Sequence, residues 1–477
     1  MKRLLVLILV VTSLLSIAGC GTNVEEPIKP DTTEKQKESE VTAKKEEPAE
    51  PALADEIYFL NFKPEVTETY EKILKDFEAE TGIHVKMETA ASGTYERVLT
   101  AEVAKTDAPT IFQINGPIGY SNWSDYCLDL KDTKLYSYLS DKSLAVTKGD
   151  GVYGIPYAVE GYGIIYNDAI LRKYFALSDK AVSISSAEEI KDFNTLKAVV
   201  EDMTAKKDQL GIKGVFAATS LKPGEDWRWQ THLANVPFFY EFNEAQGFDD
   251  SVLAGLAAEE IEFKYSNNFR NLFDLYLNNS STDKKLLGSK SVDDSMAEMA
   301  LGQVAMVQNG NWAWGQIGNI EGNVVNAEDV KFMPLYTGMP DDQKQGLCVG
   351  TENFFSINSK VSKEKQDASI LFLEWLFSTD KGKAYVANDL GFTAPFNTFT
   401  DAEKPTDPLA KDVANWMAKD GVTSVPWTFA AFPSQTFKDD FGAALLEYAQ
   451  GGKTWDEVVT IVKEGWKSEK EALAAVQ

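Results

Sequence analysis

The stretch Gly151–Asn167, GVYGIPYAVEGYGIIYN, decides how the chain is read. It is a run of aromatic and branched apolar residues with one charge, Glu160, near its middle. Such a run predicts strand. A period of two then places Pro156, Ala158, Glu160, Tyr162 and Ile164 on one face. A carboxylate flanked by Tyr157 and Tyr162 needs a partner or a ligand if it is buried. Gly161 and Gly163 thin the side-chain wall and let backbone or ligand come close. Two readings follow. One is a buried strand whose Glu160 pairs with a distant Lys or Arg. The other is a strand crossing between two lobes, with Glu160 and Tyr162 facing the cleft.

Upstream, a strand at Ile57–Leu60 leads to a helix over Thr67–Thr81, with Tyr70, Ile73, Leu74 and Phe77 on one face and Gly82 as its stop. A strand at Ile83–Glu88, a helix carrying Tyr95, Val98, Leu99 and Val103, and a strand at Thr110–Ile114 follow. Strands alternating with helices predict a parallel sheet covered by helices. Ligands bind beyond the carboxyl ends of such strands. The residues there include Asn61, Lys63, Tyr95, Gln113 and Asn115, which supply amides, an aromatic ring and one ammonium. These segments hold no nucleophile–base pair, no Gly-rich phosphate loop and no metal-ligand set.

Downstream, Gly214–Thr219 reads as a strand of a second lobe, and Glu225–Gln230, EDWRWQ, stands just ahead of His232. Trp faces stack on pyranose rings while flanking carboxylates take hydroxyls. Asp226 and Trp227 are therefore candidate ligand residues, against the alternative that Trp227 or Trp229 is core. Ile261–Leu277 is an amphipathic helix whose stripe of Phe269, Leu272, Phe273 and Tyr276 reads as core. In Val304–Trp314, VAMVQNGNWAW, a short strand ends in a Gly-containing turn that opens a helix. That places Asn309, Gly310 and Asn311 at a strand's carboxyl end and a helix N-terminus, where free amides can bind acceptor oxygens, and makes Trp312 a candidate for stacking. Trp427, in the aromatic loop Val425–Phe429, is a further stacking platform.

The chain has 477 residues, enough for two or three domains, and a formal net charge of −26. That charge argues against nucleic acid or an anionic membrane surface as partner, and suits an uncharged or cationic ligand. Lys2 and Arg3 precede an apolar run from Leu4 to Ile17, too short for a membrane span and consistent with an export signal over residues 1–19. Ile17-Ala18-Gly19-Cys20 resembles a bacterial lipobox, so Cys20 is the expected lipidation site. Residues 20–54, rich in Glu, Lys, Thr and Pro, are expected to be a disordered tether.

Three short runs carry a family resemblance. Ala158-Val159-Glu160 to Ile165-Tyr166-Asn167 is similar to the AVE-x-x-x-x-IYN run of bacterial sugar-binding proteins of the maltose-binding type. Ala305-Met306, Asn309-Gly310, Trp312 and Trp314 resemble the AM-x-x-NG-x-W-x-W run of their second crossover. Val349–Asn358 resembles the strand before their third, although Glu352 and Asn353 replace the small residues usual there. Leu390–Phe396 resembles a loop that lines the cleft in this family, which adds Phe396 and, by position, Glu352 to the candidate ligand residues.

The resemblance implies an α/β fold of the periplasmic-binding-protein type. Two lobes, each a mostly parallel sheet flanked by helices, would be joined by three crossovers near Glu160, Asn309 and Phe355. Residues 55–159 with 309–354 are expected in the first lobe, and 160–308 with 355–477 in the second. With Cys20 lipidated, Cys127 and Cys348 remain. Outside the cytoplasm one disulfide between them is the favoured expectation, two separate buried thiols the other.

The function implied is that of a lipid-anchored, extracytoplasmic solute-binding protein of an ABC importer. It would be a monomer that captures a carbohydrate and presents it to a membrane permease, with no cofactor and no metal. His84 and His232 have no paired ligand spacing. A polyamine in the same fold is the close alternative, since Glu160, Asp226 and Glu352 with the aromatics suit a cation. A secreted glycoside hydrolase would need two carboxylates across one bond, and Glu160 and Asp226 are the conceivable pair. An adhesion or scaffold protein would use the tether but needs no aromatic cleft.

Overall fold

The computed structural model describes residues 53–476 apart from Ser92, Thr219, residues 248–250 and Glu352. The export signal, Cys20, nearly all of the tether and Glu352 lie outside the described residues. Among the described residues no helix is long and apolar enough to cross a membrane.

Twelve strands are described: β1 (Glu56–Asn61), β2 (His84–Thr89), β3 (Ile111–Asn115), β4 (Val146–Lys148), β5 (Gly151–Pro156), β6 (Glu160–Asn167), β7 (Gly214–Phe216), β8 (Val304–Gly310), β9 (Val330–Met333), β10 (Gln345–Gly350), β11 (Asn353–Ile357) and β12 (Thr423–Val425). They form two sheets. The first has the order β2-β1-β3-β11-β5-β4. The second has the order β12-β10-β6-β8-β7, with β9 also paired to β6.

The first sheet grows from the strand–helix alternation at its start. Helix Thr67–Thr81 buries Tyr70, Ile73, Leu74 and Phe77 and ends at Gly82, whose φ of 77° lets its N–H reach Glu78 O. Each of those side chains contributes roughly 1.5–3 kcal/mol by leaving water. Phe59 of β1 packs edge-on against Tyr70, with ring centroids 5.2 Å apart. Helix Ser266–Asn278 buries the expected Phe269, Leu272, Phe273 and Tyr276 under the second sheet's core. It starts later than expected because Phe263 takes a φ of 48°, a left-handed turn.

Gly151–Asn167 does cross between the sheets: β5 closes one and β6 opens the other. Every residue of β6 is buried, because β8 covers one edge while β10 and β9 share the other. Next to this crossing the chain returns from β10 to β11. Glu160 faces Gly350 on one side of the passage and Pro156 faces Phe354 on the other. A third passage follows Phe396 and Phe399, which pack with the first sheet, and precedes Leu409 and Val413, which pack with the second.

Three expectations need correction. Asn309 is not at a crossing: β8 stays in the second sheet, locked to β6 by five registered pairs from Tyr162↔Gly310 to Tyr166↔Met306. The sheets therefore divide the chain differently from the expected segments, with β9 and β10 in the second sheet and β11 onward to Phe399 with the first. Both sheets are mixed. β1, β2 and β3 run parallel, but β11 arrives from the second sheet and lies antiparallel to β3 and β5.

The third correction concerns the expected disulfide. Cys127 and Cys348 are both free, buried thiols. Cys127 sits with Trp123 and Phe354 against the first sheet, and its Sγ donates to Trp123 O at 3.3 Å. Cys348 lies on β10, opposite Tyr162 in the second sheet. Burial pushes the Cys127 thiol up to about 11 and the Cys348 thiol up to about 12.

Candidate ligand-binding site

Where the chain passes between the sheets, Glu160 meets Lys63, which follows the end of β1. Lys63 Nζ lies 2.8 Å from Glu160 Oε1 and 3.6 Å from Glu65 Oε1. The Lys63 and Glu160 side chains are 8% and 6% exposed, so this is a buried pair joining two sheets. The first reading of Glu160, a carboxylate paired with a distant Lys, is met, and so is its place at a crossing.

Several expected ligand residues serve to hold Lys63. Asn61 Nδ2 donates to Lys63 O at 2.8 Å, and Lys63 N donates to Asn61 Oδ1 at 3.1 Å. Gln113 Oε1 accepts from Phe62 N at 2.6 Å, and Gln113 N donates to the Tyr95 hydroxyl at 2.7 Å. Asn61, Tyr95 and Gln113 thus spend polar atoms on the loop, which fixes the ammonium instead of offering those atoms to a solute. Asn115 differs: its Oδ1 is buried and has no hydrogen-bond partner.

The second sheet contributes an aromatic wall. Tyr162 stacks on His232 with centroids 4.0 Å apart and planes within 6°. Trp227 meets His232 edge-on at 4.8 Å and lies tilted against Trp312 at 6.0 Å. Trp427 lies 5.6 Å from Tyr162 and 5.3 Å from Phe429. Two glycines make room for these rings. A Cβ on Gly310 would lie 2.1 Å from the Trp312 ring, and one on Gly350 would lie 2.6 Å from the Trp427 ring. Lys63 Nζ is 5.5 Å from the Trp312 centroid and 5.8 Å from that of Phe392, within cation–π reach of both.

A cavity of about 570 Å³ opens beside this cluster. Glu65, Leu390 and Phe392 line it from the first-sheet side, and Glu160, Asn311 and Trp312 from the other. Of the residues expected to bind ligand, Glu160 and Trp312 reach it, as does the Leu390–Phe392 part of the expected loop. A second cavity of about 240 Å³, among Tyr166, Lys331 and Trp416, contains no expected site residue.

Four expected residues stand elsewhere. Phe396 is core: its ring lies 4.5 Å from Phe377, and it bridges to Leu139. Asn309 is fully buried behind the wall, where its Oδ1 accepts from Arg228 Nη2 at 3.2 Å and from Gly310 N at 2.9 Å. Asp226 faces helix Gln435–Gln450, where a Cβ on Gly442 would lie 1.8 Å from its Oδ2. Burial pushes the Asp226 carboxyl up to about 7. Trp427 is 3% exposed and backs Tyr162 without reaching the cavity.

Sequence reasoning gave no role to Arg228 or His232, and placed Asn311 at the turn without its side-chain role. Arg228 and His232 lie in Arg228–Leu233, one π-helical segment with every residue buried. Such wide turns are rare and gather at functional sites. Burial, with Arg228 nearby, holds His232 well below the ordinary imidazole range, so it is neutral. Asn311 Oδ1 accepts from Gly161 N at 2.8 Å and fixes the start of β6. The signal for Arg228 was present: a cation between two Trp residues in EDWRWQ.

The family model for bacterial extracellular solute-binding proteins matches residues 72–418 of this chain. The chain belongs to that family. Solved structures of similar fold include a chitin oligosaccharide binding protein, with 19% identity, coverage of 88% of this chain and 99% of that one, and a TM-score of 0.67. A sugar transporter from Bacillus licheniformis in complex with stachyose matches at 16% identity, 87% and 100% coverage, and a TM-score of 0.65. Maltose-bound MalE3 of T. maritima matches at 14% identity, 89% and 100% coverage, and a TM-score of 0.60. At such identities the likeness is one of fold, and it agrees with the two-lobed α/β architecture.

Proposed function

We propose that this protein captures a carbohydrate between its two lobes, outside the cytoplasm, and hands it unaltered to an ABC permease while Cys20 anchors it to the membrane. The observation that carries the proposal is the half-buried Trp312 on the cavity wall, backed by the rings of Trp227, His232, Tyr162 and Trp427. An aromatic face beside fixed polar groups matches the alternating C–H and hydroxyl faces of a pyranose. Contacts made with both lobes favour the closed state, and a permease reads that population shift.

A polyamine remains a second reading, favoured by Glu65, Asp293, Asp389 and Asp407 around the same cavity. Against it, Glu160 already has Lys63 as its cation. Titration of tryptophan fluorescence with mono- and oligosaccharides and with spermidine separates them. A saturable change with a sugar, weakened at least tenfold by Trp312→Ala, is the expected result. Response to spermidine alone rejects the carbohydrate. Appearance of new reducing ends would instead make the protein a hydrolase.

A further inference from the structure

Behind the Trp227 ring lies a charge that no ion pair among the described residues balances. Arg228 is 1% exposed. Its Cζ stands 3.8 Å from the Trp227 ring centroid, and its Nη2 donates to Asn309 Oδ1. Nε and Nη1 have no hydrogen-bond partner. Among the described residues no carboxylate lies within ion-pair distance of the guanidinium. Glu225, Glu65 and Asp293 attract it only at longer range. Burial lowers its pKa to about 9, so at pH 7 it is still a cation. The guanidinium lies against the Trp227 ring, and that ring stands 6.0 Å from Trp312, which lines the cavity.

An unpaired buried cation costs several kcal/mol, and a buried donor without an acceptor adds to that. A neutral sugar hydroxyl would satisfy the donors and leave the charge. An anion satisfies both. The neighbouring cation, Lys63, is already taken by Glu160. One uncompensated charge calls for one negative charge, which is the charge of a carboxylate. The carboxylates at the cavity edge oppose an anion, but Asp293 and Asp389 are exposed and screened by salt, whereas Arg228 acts through a dry, ring-walled interior.

We propose that Arg228 is an unassigned ligand-binding residue and that the captured saccharide carries a carboxylate, as a uronate does. The inference rests on the carbohydrate reading above and names its class. The acid group passes the Trp312 and Trp227 rings when the walls tied by Lys63 and Glu160 part, and it takes the open donors on Arg228.

Calorimetric titration of the whole protein with trigalacturonate, its methyl ester, raffinose and glucose 6-phosphate tests this. The wild type is expected to bind trigalacturonate about tenfold or more tighter than the ester, the scale of one charge-assisted hydrogen bond. Arg228→Gln is expected to abolish that preference, bringing the affinities for acid and ester within about twofold of each other. Equal affinity for acid and ester overturns the proposal, as does a preference that survives Arg228→Gln, or tighter binding of the sugar phosphate. If Arg228→Gln does not fold, the wild-type ratio of acid to ester decides alone. Binding of raffinose without trigalacturonate overturns this inference and leaves the carbohydrate reading intact. Heat from none of the four, with heat from spermidine, ends both.

Discussion

Glu160 is a carboxylate in the middle of an apolar strand, and its partner is the ammonium of Lys63, 97 positions away. Removing one member of a buried pair leaves the other charge uncompensated, which costs about 3–5 kcal/mol. Lys63→Met, which leaves the buried Glu160 without its cation, is therefore expected to lower the urea midpoint sharply, and Lys63→Met/Glu160→Met to recover much of the loss. Additive losses in that cycle would show that the pair is not coupled. Asp226 makes a different prediction. Its pKa is raised on folding, so the stability it contributes is complete below its unfolded value near 4 and is lost as pH climbs through about 7. Relative to Asp226→Asn, the wild type should lose on the order of 4 kcal/mol between pH 4 and pH 8. Its carboxylate turns toward Gly442, so the same substitution should leave ligand affinity unchanged.

At the scale of elements, the rings of the aromatic wall lie directly on backbone. Gly350 has no room for a side chain beneath Trp427. Gly350→Ala is expected to cost about 1–3 kcal/mol through overpacking and to shift the tryptophan emission. An unchanged spectrum and midpoint would mean that the ring moves aside freely. The same elements show what a sequence makes legible. Periodicity found the helix at about Thr67–Thr81, because its buried stripe and its glycine stop are both local. The crossing at Gly151–Asn167 was also visible, as an unbroken apolar run with one charge. The strand partner of β8 was not. Whether VAMVQNG leaves a sheet or stays beside β6 depends on pairing over more than 140 positions, and no local pattern encodes it. Phe396 failed for a related reason: its pairing with Leu139 is long-range and turns a loop residue into core.

For the whole molecule, the two cysteines belong to different sheets, and no covalent bond ties one sheet to the other through them. In native protein both thiols should react slowly with a thiol reagent, since burial disfavours the thiolate at each. After unfolding both should react fully without prior reduction, and reductant should leave the native midpoint where it was. Failure of either thiol to react in denaturant would restore the bridge. At this scale the sequence was clear about the kind of fold and about two sheets, but not about which segment joins which. The candidate site was legible in part: Glu160, Lys63 and Trp312 were found, while Arg228 was overlooked because a lone cation beside tryptophans also suits a solvated face.

The passage at residues 397–408 stands apart from the passage at 157–159 and from the return that leaves β10 at Gly350 and enters β11 at Asn353. Both are anchored at their ends by the pairs Glu160↔Gly350 and Pro156↔Phe354, like the leaves of a door strap, and a closing motion of the halves would turn about them. Among the described residues no β pairing falls within the third passage, so it would limit only how far the halves part. Severing it, with new ends placed there and the old ones joined, should leave the axis in place and widen the arc.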